Sequence, residues 1–268
     1  MQVTIARIKY SFKNAMRADF WGTTIGRIVA GIYTVIFAAF MYHYMVKGNV
    51  SSSFTDYAGT DDYLAYIIVG AAFYSVSVSI LMAVGRTFMV ELREGVINEA
   101  FLSPASRLQI LFGNGIEQYM RSIAEVSVIF LLGSFIRVRF KSTDLFSYII
   151  MILLIFFALF SIGVLLSFIM LFMKDTYLSQ NTFFLLINFL CGVSFPTEYL
   201  PKGLQYLSNC IPFTLLLKLM RRILIFGDSI STHISDVAII FIMSTCILFI
   251  GSFLLRFYEK KYADRFIL

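Results

Sequence analysis

Charge is what this sequence has least of: 14% of its 268 residues are Asp, Glu, Lys or Arg, 59% are hydrophobic, and the mean hydropathy is +0.82. A soluble chain of this length could not hide so much apolar surface, whereas a bilayer can solvate it, so the shortage predicts an all-α polytopic membrane protein. Cysteine is scarce too. Cys191, Cys210 and Cys246 are odd in number and nowhere spaced C-x-x-C, which leaves no support for a disulfide framework or a thiolate metal site. The two histidines, His43 and His233, stand far apart with no H-E-x-x-H run, which argues against a zinc protease. A lone Gly227-Asp228-Ser229 without a placed histidine reads as a loop, not a hydrolase turn. No G-x-x-x-x-G-K-[ST] phosphate loop occurs either. If the chain takes part in ATP-driven transport, ATP and Mg belong to a partner polypeptide, and this chain needs no cofactor of its own. The net charge of +6 is scattered at the ends of apolar runs, so membrane lipid headgroups, not nucleic acid, are the expected anions.

What the chain does have is a series of long apolar runs. Before the first of them, Ile5, Ile8, Phe12 and Met16 recur at helical spacing while Lys9, Lys13 and Arg17 form a basic stripe, predicting an interfacial amphipathic helix over residues 1–20. Six transmembrane helices are predicted, at about 24–46, 63–85, 119–136, 145–173, 177–195 and 237–258. Gly70, Ala71, Ala72 and Ser75 crowd the second, the composition of a close helix contact in lipid. In the third, Arg121 and Glu125 are four apart and predict an ion pair on one face. Gln180, Asn181 and Asn188 in the fifth predict a polar path; with Arg121 and Glu125 they are the candidate pathway residues. No buried acid is expected in mid-span and no inverted repeat is visible, which counts against a proton-coupled transporter.

Pro196, Pro201 and Pro212 fall between the fifth and sixth spans. The apolar pieces among them are too short and too charged to cross alone, so residues 196–235 read as re-entrant half-helices. Six spans place both ends on one side. Arg7, Lys9, Lys13, Arg17, Arg27, Arg86, Arg93, Arg107, Arg121, Lys174, Arg256, Lys260, Lys261 and Arg265, about 14 of the 22 basic residues, fall on that side, which the positive-inside bias makes cytoplasmic.

One polar stretch interrupts this pattern, Glu91 to Arg107, within a loop predicted over residues 87–118. Glu91, Glu94 and Asn98, at spacings of three and four, would share a polar helix face opposite Val96 and Ala100. Ser103-Pro104 should stop that helix, with a new start at Ser106-Arg107. On pattern alone the stretch is equally a solvated loop between spans.

The same residues carry a resemblance. Arg93, Glu94, Gly95, Ser103, Pro104 and Arg107 resemble the cytoplasmic loop of the ABC-2 type transporter permeases, where an acidic-glycine pair precedes a Ser/Thr-Pro and a basic residue at this spacing. Asn98 stands where that family usually has an acid, with Glu99 one place later. Gly192 to Pro212, G-V-S-F-P-T-E-Y-L-P-K-G-L-Q-Y-L-S-N-C-I-P, resembles the family's stretch after its fifth span, and Arg221 or Arg222 would fill the place of the basic residue that follows. The resemblance implies that Glu91, Arg93, Glu94, Gly95, Asn98, Glu99, Ser103, Pro104 and Arg107 couple the chain to a separate ABC ATPase. It implies that Phe195, Pro196, Leu200, Pro201 and Pro212 build an extracellular gate. It further implies that two permease copies, or one and a homologue, pair over two ATPase subunits in the cytoplasmic membrane. The cargo it points to is an amphipathic, hydrophobic or lipid-linked compound: a drug, an antimicrobial peptide or a lipid. A polysaccharide or teichoic-acid type exporter, or an ion- or proton-coupled secondary transporter, is the alternative.

Overall fold

Backbone amides cannot stay unpaired in hydrocarbon, so a chain this apolar must satisfy them within its own segments. All the regular structure among the described residues is helical. The computed structural model describes residues 25–45, 52–60, 62–95, 97, 106–136, 138 and 140–267, apart from 27, 28, 30, 31, 34 and 38. The amphipathic helix expected over residues 1–20 lies outside them. The predicted first span is helical wherever it is described between residues 25 and 40, and passes into a π-helical turn at Met41–Met45.

Nine α-helices follow among the described residues: α1 (Ser52–Ala58), α2 (Tyr63–Gly85), α3 (Thr87–Arg93), α4 (Arg107–Phe135), α5 (Leu145–Met173), α6 (Thr176–Leu190), α7 (Lys202–Asn209), α8 (Pro212–Arg221) and α9 (Ile234–Ile267). Three helices among the described residues are long and apolar enough to cross a membrane: α2, α5 and the run Ile230–Lys261 that contains most of α9. At 1.5 Å per residue α2 is about 34 Å long, against a hydrocarbon core of about 30 Å. Both α2 and α5 have the bounds the sequence predicts.

The other spans differ from expectation. The helix predicted from residue 119 starts at Arg107, because Ser106 and Gln109 form a capping box: the Ser106 hydroxyl accepts from the Gln109 N–H, and the Gln109 side chain accepts from the Ser106 N–H. Residues 107–118, predicted as loop, are therefore the first three turns of α4. Helix α6 stops at Leu190, short of the predicted 195, ahead of a turn at Gly192 with φ +75°. Helix α9 runs on past 258 to Ile267.

Helix α5 lies at the centre, packed against α2, α4 and α9. Phe73, Leu81, Phe88, Leu159, Leu166 and Phe213 are among the large side chains buried completely in the core. Helices α5 and α9 run parallel, with Phe157 stacked on Phe241 (5.0 Å between centroids) and Phe168 edge-on to Tyr258 (6.5 Å). Between these pairs a Cβ on Gly251 would lie 2.9 Å from the backbone nitrogen of Leu165, so the two helices approach there as only glycine allows. The bundle thus has two ends. One gathers α1, the turn after α6, α7, α8 and the segment 222–233; the other gathers α3 and the starts of α4 and α6 with the end of α9.

Candidate functional site

At the second of these ends the chain turns off α2 at Arg86 into α3. Thr87 fixes the corner: its hydroxyl donates to the Ala83 carbonyl (2.8 Å) and accepts from Asn114 Nδ2 on α4 (3.0 Å). Phe88 and Met89 are buried, Glu91 is half-buried, and Arg93, Glu94 and Gly95 are exposed. The helix then ends. The Glu94 N–H bonds the Val90 carbonyl (2.9 Å), and Gly95 takes φ +76°, the left-handed position that glycine adopts at little cost after a helix. So the helix bearing Glu91 stops before Asn98, and the single polar face predicted through 91, 94 and 98 is cut by the cap. Ile97 is buried, while Asn98, Glu99, Ser103 and Pro104 lie outside the described residues.

Two links tie this stretch to distant helices. The guanidinium groups of Arg86 and Arg93 lie 5.7 Å and 5.8 Å from the centroid of the Tyr177 ring at the start of α6. Arg107 donates from Nε (3.0 Å) and Nη2 to Oε1 of Glu259 near the end of α9. Arg93 thus joins the end of α3 to α6, and Arg107 joins the start of α4 to α9.

Midway along the bundle, the ion pair of Arg121 runs to Glu117 (2.5 Å), one turn before it, in place of the predicted Glu125. Both acids are four residues from Arg121, so spacing could not choose between them. Glu125 is 5% exposed and turns toward α2, where Ser75 Oγ donates to its Oε2 (3.5 Å). Ser75 is near the middle of α2, so an acid is buried at mid-helix depth, contrary to expectation. On α6, Asn181 is exposed, and Asn188 accepts a hydrogen bond from Ser194 (3.2 Å) across the turn that ends the helix. The side chain of Gln180 lies outside the described residues.

At the opposite end Phe195 is half-buried and edge-on to Phe189 (6.4 Å), Pro196 is buried, and Thr197–Tyr199 form a short 3-10 turn. Leu200 and the exposed Pro201 lead into α7, and Pro212 is the buried first residue of α8, where its missing N–H leaves no helix bond unmade. These two short helices are separate elements, as the prolines predict.

What ties α8 to α2 and to the turn after α6 is Arg221, the last residue of α8 and 7% exposed. Its guanidinium carbon lies 3.4 Å from the centroid of the Tyr66 ring on α2, and its Nη2 donates to the carbonyls of Val193 (3.0 Å) and Tyr66 (3.4 Å). The Tyr66 hydroxyl donates to the neighbouring Gly192 carbonyl (3.2 Å). Two side chains thus hold two consecutive carbonyls of the turn after α6. Gly70 leaves the space they need, since a Cβ there would lie 2.2 Å from the Val193 oxygen. Arg222, the other candidate for the basic place, is exposed beside His233 (3.5 Å). A cavity of about 450 Å³ opens next to this clamp, with Asp56, Glu198, Lys218, Arg222 and Asp228 among its walls and Lys218 paired with Glu198 (3.1 Å).

Sequence reading did not single out Tyr66, Glu117, Tyr177 or Glu259 as functional. Gly70 was visible only as one of several small residues in its span, and Arg221 only as one of two arginines.

The model of the ABC-2 type transporter family matches residues 3–225, which include α1 to α8 and stop before α9. No curated protein matches the sequence. With a match over most of its length and helices fit to cross a bilayer, the chain belongs to the ABC-2 type transporter family and is an ABC transporter permease embedded in a membrane.

Proposed function

We propose that this permease is the transmembrane subunit of an ATP-driven exporter in the cytoplasmic membrane. It has six spans and both termini inside, works beside a second permease copy or a homologue, and is powered by two copies of a separate ABC ATPase that hold ATP and Mg. The observation that carries the reading is the construction of α3: a short helix with a buried base, an exposed tip at Arg93, Glu94 and Gly95, and a contact of Arg93 with Tyr177 of α6, followed at the start of α4 by the tie of Arg107 to Glu259 of α9. A docking element must be rigid toward the spans and exposed toward its partner, and α3 meets both requirements. ATP closes the ATPase pair, the stretch 91–107 moves with it, Arg107 carries the motion to α9, and the Arg221–Tyr66 clamp at the far end yields. ATP drives this only by binding one of the two permease states more tightly than the other. The cargo to which the resemblance points is amphipathic, hydrophobic or lipid-linked: a drug, an antimicrobial peptide or a lipid.

The test is charge reversal at the tip. Glu91→Lys with Glu94→Lys should abolish permease-stimulated ATP hydrolysis in the assembled complex while the chain still inserts in the membrane. Glu94→Lys alone, at an exposed position, should weaken it. Full stimulation in both variants sinks the docking role.

A further inference from the structure

Past their close approach at Gly251, toward the end that carries α3, a cleft lies between α5 and α9. Phe168, Phe172, Leu254, Phe257 and Tyr258 line the cleft between them, about 330 Å³ in volume, and Lys174 and Lys261 stand among its walls. That volume lies within the range of small-molecule pockets. Phe172 and Phe257 are 66% and 61% exposed, so the cleft opens sideways, where a membrane-spanning protein meets lipid. Lysines that close a span place their ammonium groups at headgroup depth while their stems cover apolar surface. Lys174 is held there by the backbone, as the left-handed cap of α5 with φ 52°. Arg256 and Lys260, on the same stretch of α9, are not among the walls of the cleft. Of the nearby acids, Glu259 is engaged by Arg107, and Asp175 is half-buried.

We propose that this cleft holds an acyl chain of an anionic glycerophospholipid whose phosphate sits between Lys174 and Lys261. The charges select the occupant. A second copy docked on the same face about a two-fold axis would bring four lysines together, and a zwitterionic lipid would bring no net charge against the two ammonium groups, whereas an anionic one brings at least one negative charge. The bound lipid braces the segment of α9 that also carries Glu259, the partner of Arg107.

Headgroup-selective retention tests this. The full chain, purified in detergent and mixed with equal amounts of phosphatidylglycerol and phosphatidylcholine of identical acyl chains, is read by native mass spectrometry. The wild-type chain should retain phosphatidylglycerol in preference. Lys174→Gln with Lys261→Gln should cut that retention about fivefold for each lysine, the worth of one basic residue near an anionic surface. The Lys174→Arg, Lys261→Arg pair should restore it, and Lys260→Gln should leave it unchanged. Leu254→Trp, which fills the cleft, should reduce retention of both lipids. Equal retention of the two lipids, wild-type retention by the folded double Gln variant, or an equal loss in Lys260→Gln overturns the proposal. If the double Gln variant does not fold, Leu254→Trp decides: undiminished phosphatidylglycerol retention overturns it. No ATP or ATPase enters the measurement, so its outcome is separate from that of the export reading.

Discussion

At Gly70 a single methyl group would collide with the carbonyl that Arg221 holds, since the added Cβ stands 2.2 Å from the Val193 oxygen and 3.0 Å from Arg221 Nη2. Backbone cannot yield there as the end of a flexible side chain would, so Gly70→Ala should lower the stability of the purified chain by about 1–3 kcal/mol, read as a drop in Tm. Tyr66→Phe removes only the bond to the Gly192 carbonyl and should cost about 1 kcal/mol. A larger loss in Tyr66→Phe than in Gly70→Ala would contradict this account of the clamp. Asp144, the cap of α5, offers a pH test. Its hydrogen bonds from Ser147 and then Ser229 hold its carboxyl down at about 2, from an ordinary 3.8. A depressed acid stabilises the fold fully above its unfolded value and loses that contribution as pH falls through its folded one. Stability should therefore decline between about pH 4 and pH 2, and Asp144→Asn should flatten that part of the Tm profile.

Among the helices, the short α3 and the long α4 show how far local signals reach. Gly95 would meet nothing within 4 Å if it carried a Cβ, so Gly95→Ala isolates the backbone cost of a left-handed residue, about 1–2 kcal/mol. The variant should lose stimulated ATP hydrolysis in part, by misdirecting the chain beyond α3, while adding bulk in open space. Ser106→Ala removes the hydroxyl from the capping box and should destabilise the start of α4 by about 1 kcal/mol, measured as faster amide exchange in its first turn. The start itself was legible as Ser106-Arg107. What hid the following turns was their polarity: Gln109, Asn114, Glu117 and Gln118 look like loop in a hydropathy count, yet Glu117 and Gln118 are buried in the finished bundle.

Across the whole molecule, the function proposed here requires that α3 and the Arg221 clamp lie on opposite sides of the membrane. A cysteine at Ser52 should react with an impermeant thiol reagent on intact cells, whereas one at Ser106 should be protected until the membrane is opened; the reverse pattern would turn the topology over. The Arg107–Glu259 pair tests the mechanical link. Arg107→Ala and Glu259→Ala should each lower stimulated ATP hydrolysis, and the double variant should be no worse than either alone, because contacting residues fail to add. Additive losses would mean that the two side chains act independently.

The family, the helical class and the bounds of α2 and α5 were readable from the residues alone, because an apolar run of more than twenty residues has few ways to satisfy its backbone in lipid. The separation of the short helices α7 and α8 was readable too, since proline acts on its own neighbours. Only the tertiary structure decided that Arg121 pairs with Glu117, that Glu125 is buried against Ser75, and that Arg221 and not Arg222 is the buried cation. It also joined Arg107 to Glu259 across 152 positions and Arg221 to Tyr66 across 155. Those outcomes depend on which helix packs beside which, and no periodicity along a single helix encodes its neighbour.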